Sequence, residues 1–309
     1  MSKIAFLFSG QGAQYPGMMK EFYDTIPAAK EVFDVADRTL GRSISDLCFN
    51  GTEEDLQQTH NTQPCMLAAD LAAYAAIREQ GSQPDVVAGF SLGEYAALVA
   101  ADALDMADAF RLVQIRADAM QAAVPADVGG MMVIKKCPSE LAVKLCRQVK
   151  QGYVQPANFN QPMQVSISGN KEGLSELKQI AKEAGYKAVP LPVSAPFHCK
   201  LMQPAADILA QELHIISFSN ACIPAYTNCD AAPTLDGKLL KDKLIRQVSE
   251  PVLWEQILIR MAVEGVDTFI EIGPGETLAK FTEKTLAKST IYHVENIETL
   301  RSITAAFAR

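Results

Sequence analysis

Apolar residues run along this chain in two rhythms. Short unbroken runs mark buried strands. "KIAFLF" (3–8) leads into the glycine loop "SGQGAQ", "DVVAGF" (85–90) leads into "SLGEYAAL", and "VDTFIEIGPG" (266–275) ends in a Gly-Pro-Gly turn. Helix-period apolar positions fill residues 18–40, 63–80, 92–101 and 105–123, and resume from about 276. In "TQPCMLAADLAAYAAIREQG" (62–81), Pro64 stands near the start and Gly81 just past the end, the expected punctuation of a helix. Strands alternating with helices predict a mostly parallel sheet with helices on both faces.

The rhythm changes between about 125 and 192. "GGMMVIKK" reads as a strand, "PSELAVKLCRQVK" as a helix, and "YVQPANFN" and "MQVSISGN" as two paired strands. "KEGLSELKQIAKEAG" then reads as a helix and "YKAVPLPV" as a last strand. That order, β-α-β-β-α-β, is a ferredoxin-like unit. The expected organisation is a small ferredoxin-like domain over 125–192, inserted into a large α/β domain built from 1–124 and 193–309.

Composition narrows the class. Of 309 residues, 49% are apolar and 21% charged, which is ordinary for a globular protein. No stretch of about 18 uncharged apolar residues occurs, so no membrane partner is expected. "MSKIAFLFSGQGAQ" lacks the long apolar region of a signal peptide and reads as a first buried strand. The seven Cys are odd in number and contain no CxxC pair, so reduced thiols in a cytoplasm are expected, with no structural metal. A net charge of −8 argues against a nucleic-acid partner, which would need a basic face.

Candidate chemistry begins at Gly89-Phe90-Ser91-Leu92-Gly93. A serine nucleophile needs small neighbours for a strained strand-to-helix turn, as on α/β-hydrolase-like folds, and Gly89 and Gly93 supply them. The backbone N–H of Leu92 would then face a developing oxyanion at a helix N-terminus. The competing reading is a plain N-cap serine. A serine also needs a base, and only His60, His198, His214 and His293 exist. His60 lies in the polar stretch "QQTHNTQ", which reads as a surface loop, and His214 and His293 read as structural. His198, in "PVSAPFHCKLM", falls at a strand-to-helix loop and is the best placed. "SGQGAQ" lacks the third glycine of GxGxxG and the GK[ST] ending, so no nucleotide site is expected.

At this point the chain resembles the malonyl-CoA:acyl-carrier-protein transacylases of fatty-acid synthesis and the related acyltransferase domains of polyketide synthases. The marks are "FLFSGQGAQYPGM", "TQPCMLAADLAAY", "GFSLGEYAAL", "QIRADAMQAAVP", "PANFNQPMQVSISG", "PVSAPFHCKLMQPA", "EPVLWEQ" and "FIEIGPGETL", in that order along essentially the whole chain. The resemblance implies a ping-pong acyl transfer. Ser91 takes malonyl from malonyl-CoA, and the phosphopantetheine thiol of acyl carrier protein removes it. It implies His198 as base, oriented by the backbone carbonyl of Gln247 rather than by an acid. Gln11 and Leu92 would form the oxyanion hole. Arg116 would grip the free malonyl carboxylate, whose geometry suits a guanidinium fork. Read from its own neighbours, Arg116 would instead be a surface arginine of an amphipathic helix. Asn158 matches an active-site asparagine. No cofactor is implied, and relatives are mostly monomers.

The chain departs from the family where Phe90 replaces the usual histidine before the serine. Phe90 and Phe197 would line the site, and Phe197 and Leu92 accompany malonyl over methylmalonyl selection in related acyltransferases. Equal loading of both acyl groups on Ser91 would sink that expectation. Acyl carrier protein is acidic, so "GKLLKDKLIR" (237–246), with Lys238, Lys241, Lys243 and Arg246, is one docking candidate, though a solvated helix face reads better. Two other functions stay in view: a discrete acyltransferase serving a polyketide carrier, and a thioesterase or esterase, which would not need Arg116.

Overall fold

The computed structural model describes residues 2–125, 128–193 and 195–307. Its strands are β1 (Ile4–Phe8), β2 (Val86–Gly89), β3 (Gly129–Lys135), β4 (Val154–Gln161), β5 (Gln164–Asn170), β6 (Lys187–Pro190), β7 (Ala225–Tyr226), β8 (Pro233–Thr234), β9 (Thr268–Ile272) and β10 (Thr290–Val294). They form two sheets. The larger runs β10-β9-β1-β2-β7-β8, parallel throughout except for the short β7–β8 pair. This is the mostly parallel α/β sheet that the alternation predicts.

The centre of that sheet explains the unbroken apolar runs. Phe6 and Phe8 of β1 point into one core, and Ala5 and Leu7 point into another on the opposite face. A strand buried on both sides has no polar face to show. Its C-terminal end is followed by the Gly10-Gln11 loop, and β2 and β9 end beside it in parallel register. The crevice beyond the carboxyl ends of such strands is where α/β sheets carry their sites.

The smaller sheet runs β4-β5-β3-β6, all antiparallel. The helices Ser139–Cys146 and Lys171–Glu183 cover one face of it with a third core. Its first strand joins the larger unit: Val252 N–H donates to the Ala157 carbonyl at 2.8 Å, and Phe159 N–H donates to the Val252 carbonyl at 2.9 Å. Residues 126 and 127, where the chain enters this unit, lie outside the described residues.

Local chemistry shifts two predicted elements. The run 18–40 is two helices, Lys20–Thr25 and Pro27–Leu40. Ile26 precedes a proline and is extended (φ −122°), which ends the first helix, and Pro27 starts the second. The helix expected from residue 63 begins at Thr59, so Pro64 lies inside it and His60 sits in its first turn, not in a surface loop. Pro64 cannot donate to the carbonyl of His60, four residues back. Arg42 Nη2 donates to that carbonyl instead, at 2.9 Å. No helix among the described residues is long and apolar enough to cross a membrane.

Candidate active site

The turn after β2 is built around absent side chains. A Cβ on Gly89 would lie 1.9 Å from the Gly93 carbonyl carbon, and one on Gly93 would lie 2.3 Å from the Phe8 carbonyl oxygen. Ser91 itself sits at φ +54°, which a non-glycine residue holds only when its surroundings enforce it. Asn228 supplies part of that enforcement. Its Oδ1 accepts the Ser91 backbone N–H at 2.7 Å, and its Nδ2 donates to the Gly89 carbonyl at 2.7 Å. The helix Gly93–Ala100 has no side-chain cap bond, so Ser91 Oγ is not spent as a cap.

That oxygen lies 2.7 Å from His198 Nε2. His198 is buried and also has positive φ (+58°). Its Nδ1 lies 2.8 Å from the backbone carbonyl of Gln247. A carbonyl only accepts, so the proton is assigned to Nδ1, which leaves Nε2 free to accept from the serine hydroxyl. Burial, and next the charge of Arg116, lower the His198 pKa to about 3. The ring is therefore neutral at ordinary pH.

Arg116 comes from the helix Met106–Ala122 and is only 2% exposed, so the surface reading of it is wrong. Its Nη1 donates to Gln63 Oε1 at 2.6 Å. Its Nη2 donates to Gln247 Oε1 at 2.9 Å and to Ser91 Oγ at 3.1 Å, while its Nε has no partner. Tyr95 lies against the guanidinium, with its ring centre 5.7 Å from Cζ. Nucleophile, base and guanidinium thus converge on one oxygen.

Two cavities with shared walls lie beside it. The inner one, about 100 Å³, is lined by Gln11, Ser91, Arg116, Met120, Phe197 and His198 among others. The outer one, about 260 Å³, shares Gln11, Phe90, Asn158 and Leu191 with it and extends between the two sheets. Phe90 packs edge-on against Trp254, with ring centres 5.4 Å apart. Asn158 and Asn160 are 9% and 5% exposed. The Oδ1 of each has no partner. Gln11 anchors its side chain on Thr59 Oγ1 at 3.3 Å. Leu92 contributes only its backbone here, because its side chain is buried in the core.

All nine residues singled out from the sequence belong to this one neighbourhood. Four others were not singled out: Gln63, Glu94, Asn160 and Asn228. Gln63, Glu94 and Asn160 stand inside quoted motifs, but nothing in their spacing marks them as polar groups turned inward. Asn228, in "YTNCDA", carries no local signal at all. The basic stretch 237–246 is partly occupied: Lys241 donates to the Ile216 carbonyl, Lys243 pairs with Asp230 and Arg246 pairs with Glu250.

Residues 5–306 match the family model of the acyl transferase domain. The chain is 43% identical over 303 residues to the malonyl CoA-acyl carrier protein transacylase of Bacillus subtilis (strain 168), covering 97% of this chain and 96% of that one. It superimposes with a TM-score of 0.95 on the acyl-carrier-protein S-malonyltransferase of Burkholderia pseudomallei 1710b, at 41% identity, covering 98% of this chain and 99% of that one. A malonyl-transacylase in complex with a type II polyketide synthase acyl-carrier protein gives a TM-score of 0.96 at 37% identity, covering 99% and 100%. With the serine turn, the His198 contact and the two-sheet fold all in place, the chain belongs to the acyl transferase domain family.

Proposed function

We propose that this protein transfers malonyl from malonyl-CoA to the phosphopantetheine thiol of acyl carrier protein, through an ester on Ser91, in support of fatty-acid synthesis. One observation carries the reading. Ser91 Oγ meets His198 Nε2 at 2.7 Å and Arg116 Nη2 at 3.1 Å, so an acyl group on that oxygen starts its life beside a buried guanidinium. An esterase for neutral acyl groups would gain nothing from burying that charge. The names of the relatives point the same way.

The steps follow from the atoms present. His198 Nε2 takes the Ser91 proton as Oγ attacks the thioester carbon. The carbonyl oxygen becomes an oxyanion facing the N–H groups of Gln11 and Leu92, neither of which is held by a hydrogen bond among the described residues. The intermediate collapses, and the CoA thiolate leaves with the proton from His198. The pantetheine thiol then gives its proton to His198 and attacks the ester, and Ser91 recovers the proton as it leaves.

Arg116 has a second part in this account. Its Nη2 bond to Ser91 Oγ weakens when that oxygen becomes an ester, which frees an N–H for the malonyl carboxylate. Burial is the main cause that holds the His198 pKa down, and the malonyl carboxylate would offset only the smaller one, the guanidinium charge. The outer cavity, lined by Gln11, Phe90, Asn158 and Asn160 among others, suits a pantetheine arm. We assign residues 125–192 as a small domain that closes one side of this channel.

The test is to mix the protein with malonyl-CoA and holo acyl carrier protein and follow both products. The reading expects CoA release matched by malonyl-carrier protein. Free malonate in place of the loaded carrier would support a thioesterase instead. The likeness to the polyketide complex favours one further arm, in which a polyketide carrier replaces the fatty-acid one.

A further inference from the structure

A carboxylate stands behind the site, and none of the steps above uses it. Glu94 is the second residue of the helix Gly93–Ala100 and is 1% exposed. Its Oε2 accepts two hydrogen bonds, from the Asn228 backbone N–H at 2.9 Å and from Gln247 Nε2 at 3.0 Å. Its Oε1 has no partner. A buried acidic side chain aimed at a glutamine needs a reason, because burial itself disfavours the charge.

The reason lies in the Gln247 amide, which is fully buried among groups of opposite demand. Its Nε2 donates to Glu94 and, at 2.8 Å, to the Ser91 carbonyl. Its Oε1 accepts from Arg116 Nη2 at 2.9 Å. Turned over, the amide would aim N–H at a guanidinium and oxygen at a carboxylate and a carbonyl. A guanidinium has no acceptor and a carbonyl has no donor, so those contacts would fail, and Glu94 Oε2, which already accepts the Asn228 N–H, would lose the N–H it now receives from Gln247. Glu94 thus helps decide which end of the amide faces Arg116. The backbone of the same residue orients His198.

We propose that Glu94 is a positioning residue for acyl selection. By accepting from Gln247 Nε2 it holds Gln247 Oε1 against Arg116, and so aims the guanidinium at the acyl group on Ser91. The proposal rests on the malonyl-transfer reading. Glu94 has a second branch through Asn228, which grips the Ser91 and Gly89 backbone. That branch serves any acyl group alike, so a ratio of two acyl groups isolates the Gln247 branch.

The experiment compares initial acylation of the protein by malonyl-CoA and by acetyl-CoA, read by intact mass. Acetyl carries no carboxylate for Arg116. In Glu94→Ala the malonyl-to-acetyl rate ratio should fall at least about tenfold, the scale of one hydrogen bond to a charged group. Glu94→Asp, one methylene short of Gln247, carries the same expectation if the alanine variant does not fold. Glu94→Gln keeps an oxygen acceptor at the same reach and should hold the ratio within about threefold, a loss below that of one such bond. Equal losses for both acyl groups in the alanine or aspartate variant would overturn the proposal, because a merely structural role predicts them. A collapsed ratio in Glu94→Gln would overturn it too, because charge rather than the acceptor would then be responsible. A wild-type protein that takes up no malonyl would instead sink the transfer reading itself.

Discussion

At Ser91, a nucleophile and a helix cap need the same residue in the same place, and only the backbone separates them. The positive φ and the missing cap bond favour the nucleophile. Arg116 is the opposite case. Its neighbours in "QIRADAMQ" look amphipathic, and its burial comes from Gln63, Gln247 and Tyr95, all distant in sequence. No periodicity can announce partners that arrive from other elements, so only the family resemblance marked it. If it grips the malonyl carboxylate, Arg116→Ala should slow malonyl loading by about 100-fold, the worth of a charge-assisted bidentate pair. Acetyl loading should be spared or improved. Equal slowing of both would assign Arg116 to the fold rather than to the substrate.

At the scale of elements, the elbow between β2 and the helix Gly93–Ala100 is where sequence and structure agree best. Short apolar runs ending in glycine leave few other arrangements. The β-α-β-β-α-β reading of the insert rested on the same logic, and the observed sheet order β4-β5-β3-β6 is that of a ferredoxin-like unit. Less was legible where partners are remote. The two-residue strand β7 exists because β2 offers it an edge, β8 pairs in turn with β7, and Asn228 follows from their position. The elbow also makes a prediction of its own. Gly93→Ala would drive a Cβ against the carbonyl oxygens of Phe8 and Ser9, at 2.3 and 2.5 Å. Backbone cannot swing aside as a side chain can, so destabilisation of about 3 kcal/mol is expected, at the upper end for overpacking. Thermal melting measures it, and an unchanged Tm would contradict this account of the turn.

Across the whole molecule, two carboxyls are buried beneath the Gly10-Gln11 loop. Glu271 of β9 accepts the N–H groups of Leu278 and Ala279, at 3.0 and 2.7 Å, and burial still pushes its pKa up from 4.5 to about 7. Asp70, fully buried and facing Gly273, is raised by burial and by the Glu271 charge. The sign follows directly. Between about pH 4.5 and 7 the unfolded chain has released the Glu271 proton while the folded chain keeps it, so this group lowers stability as pH rises through that window. Above it the effect is constant. Glu271→Gln has no such proton, so its Tm relative to wild type should climb from pH 4.5 to 7 and then level off. A difference that stays flat across the window would contradict the shift. The larger claim is that this whole arrangement exists to hold malonyl on one oxygen. Its most direct test is the intact mass of the protein after mixing with malonyl-CoA. The account predicts one malonyl adduct on the wild type, none on Ser91→Ala, and loss of the adduct when holo acyl carrier protein is added. A wild-type mass that stays unmodified, or an adduct that persists in Ser91→Ala, would contradict it.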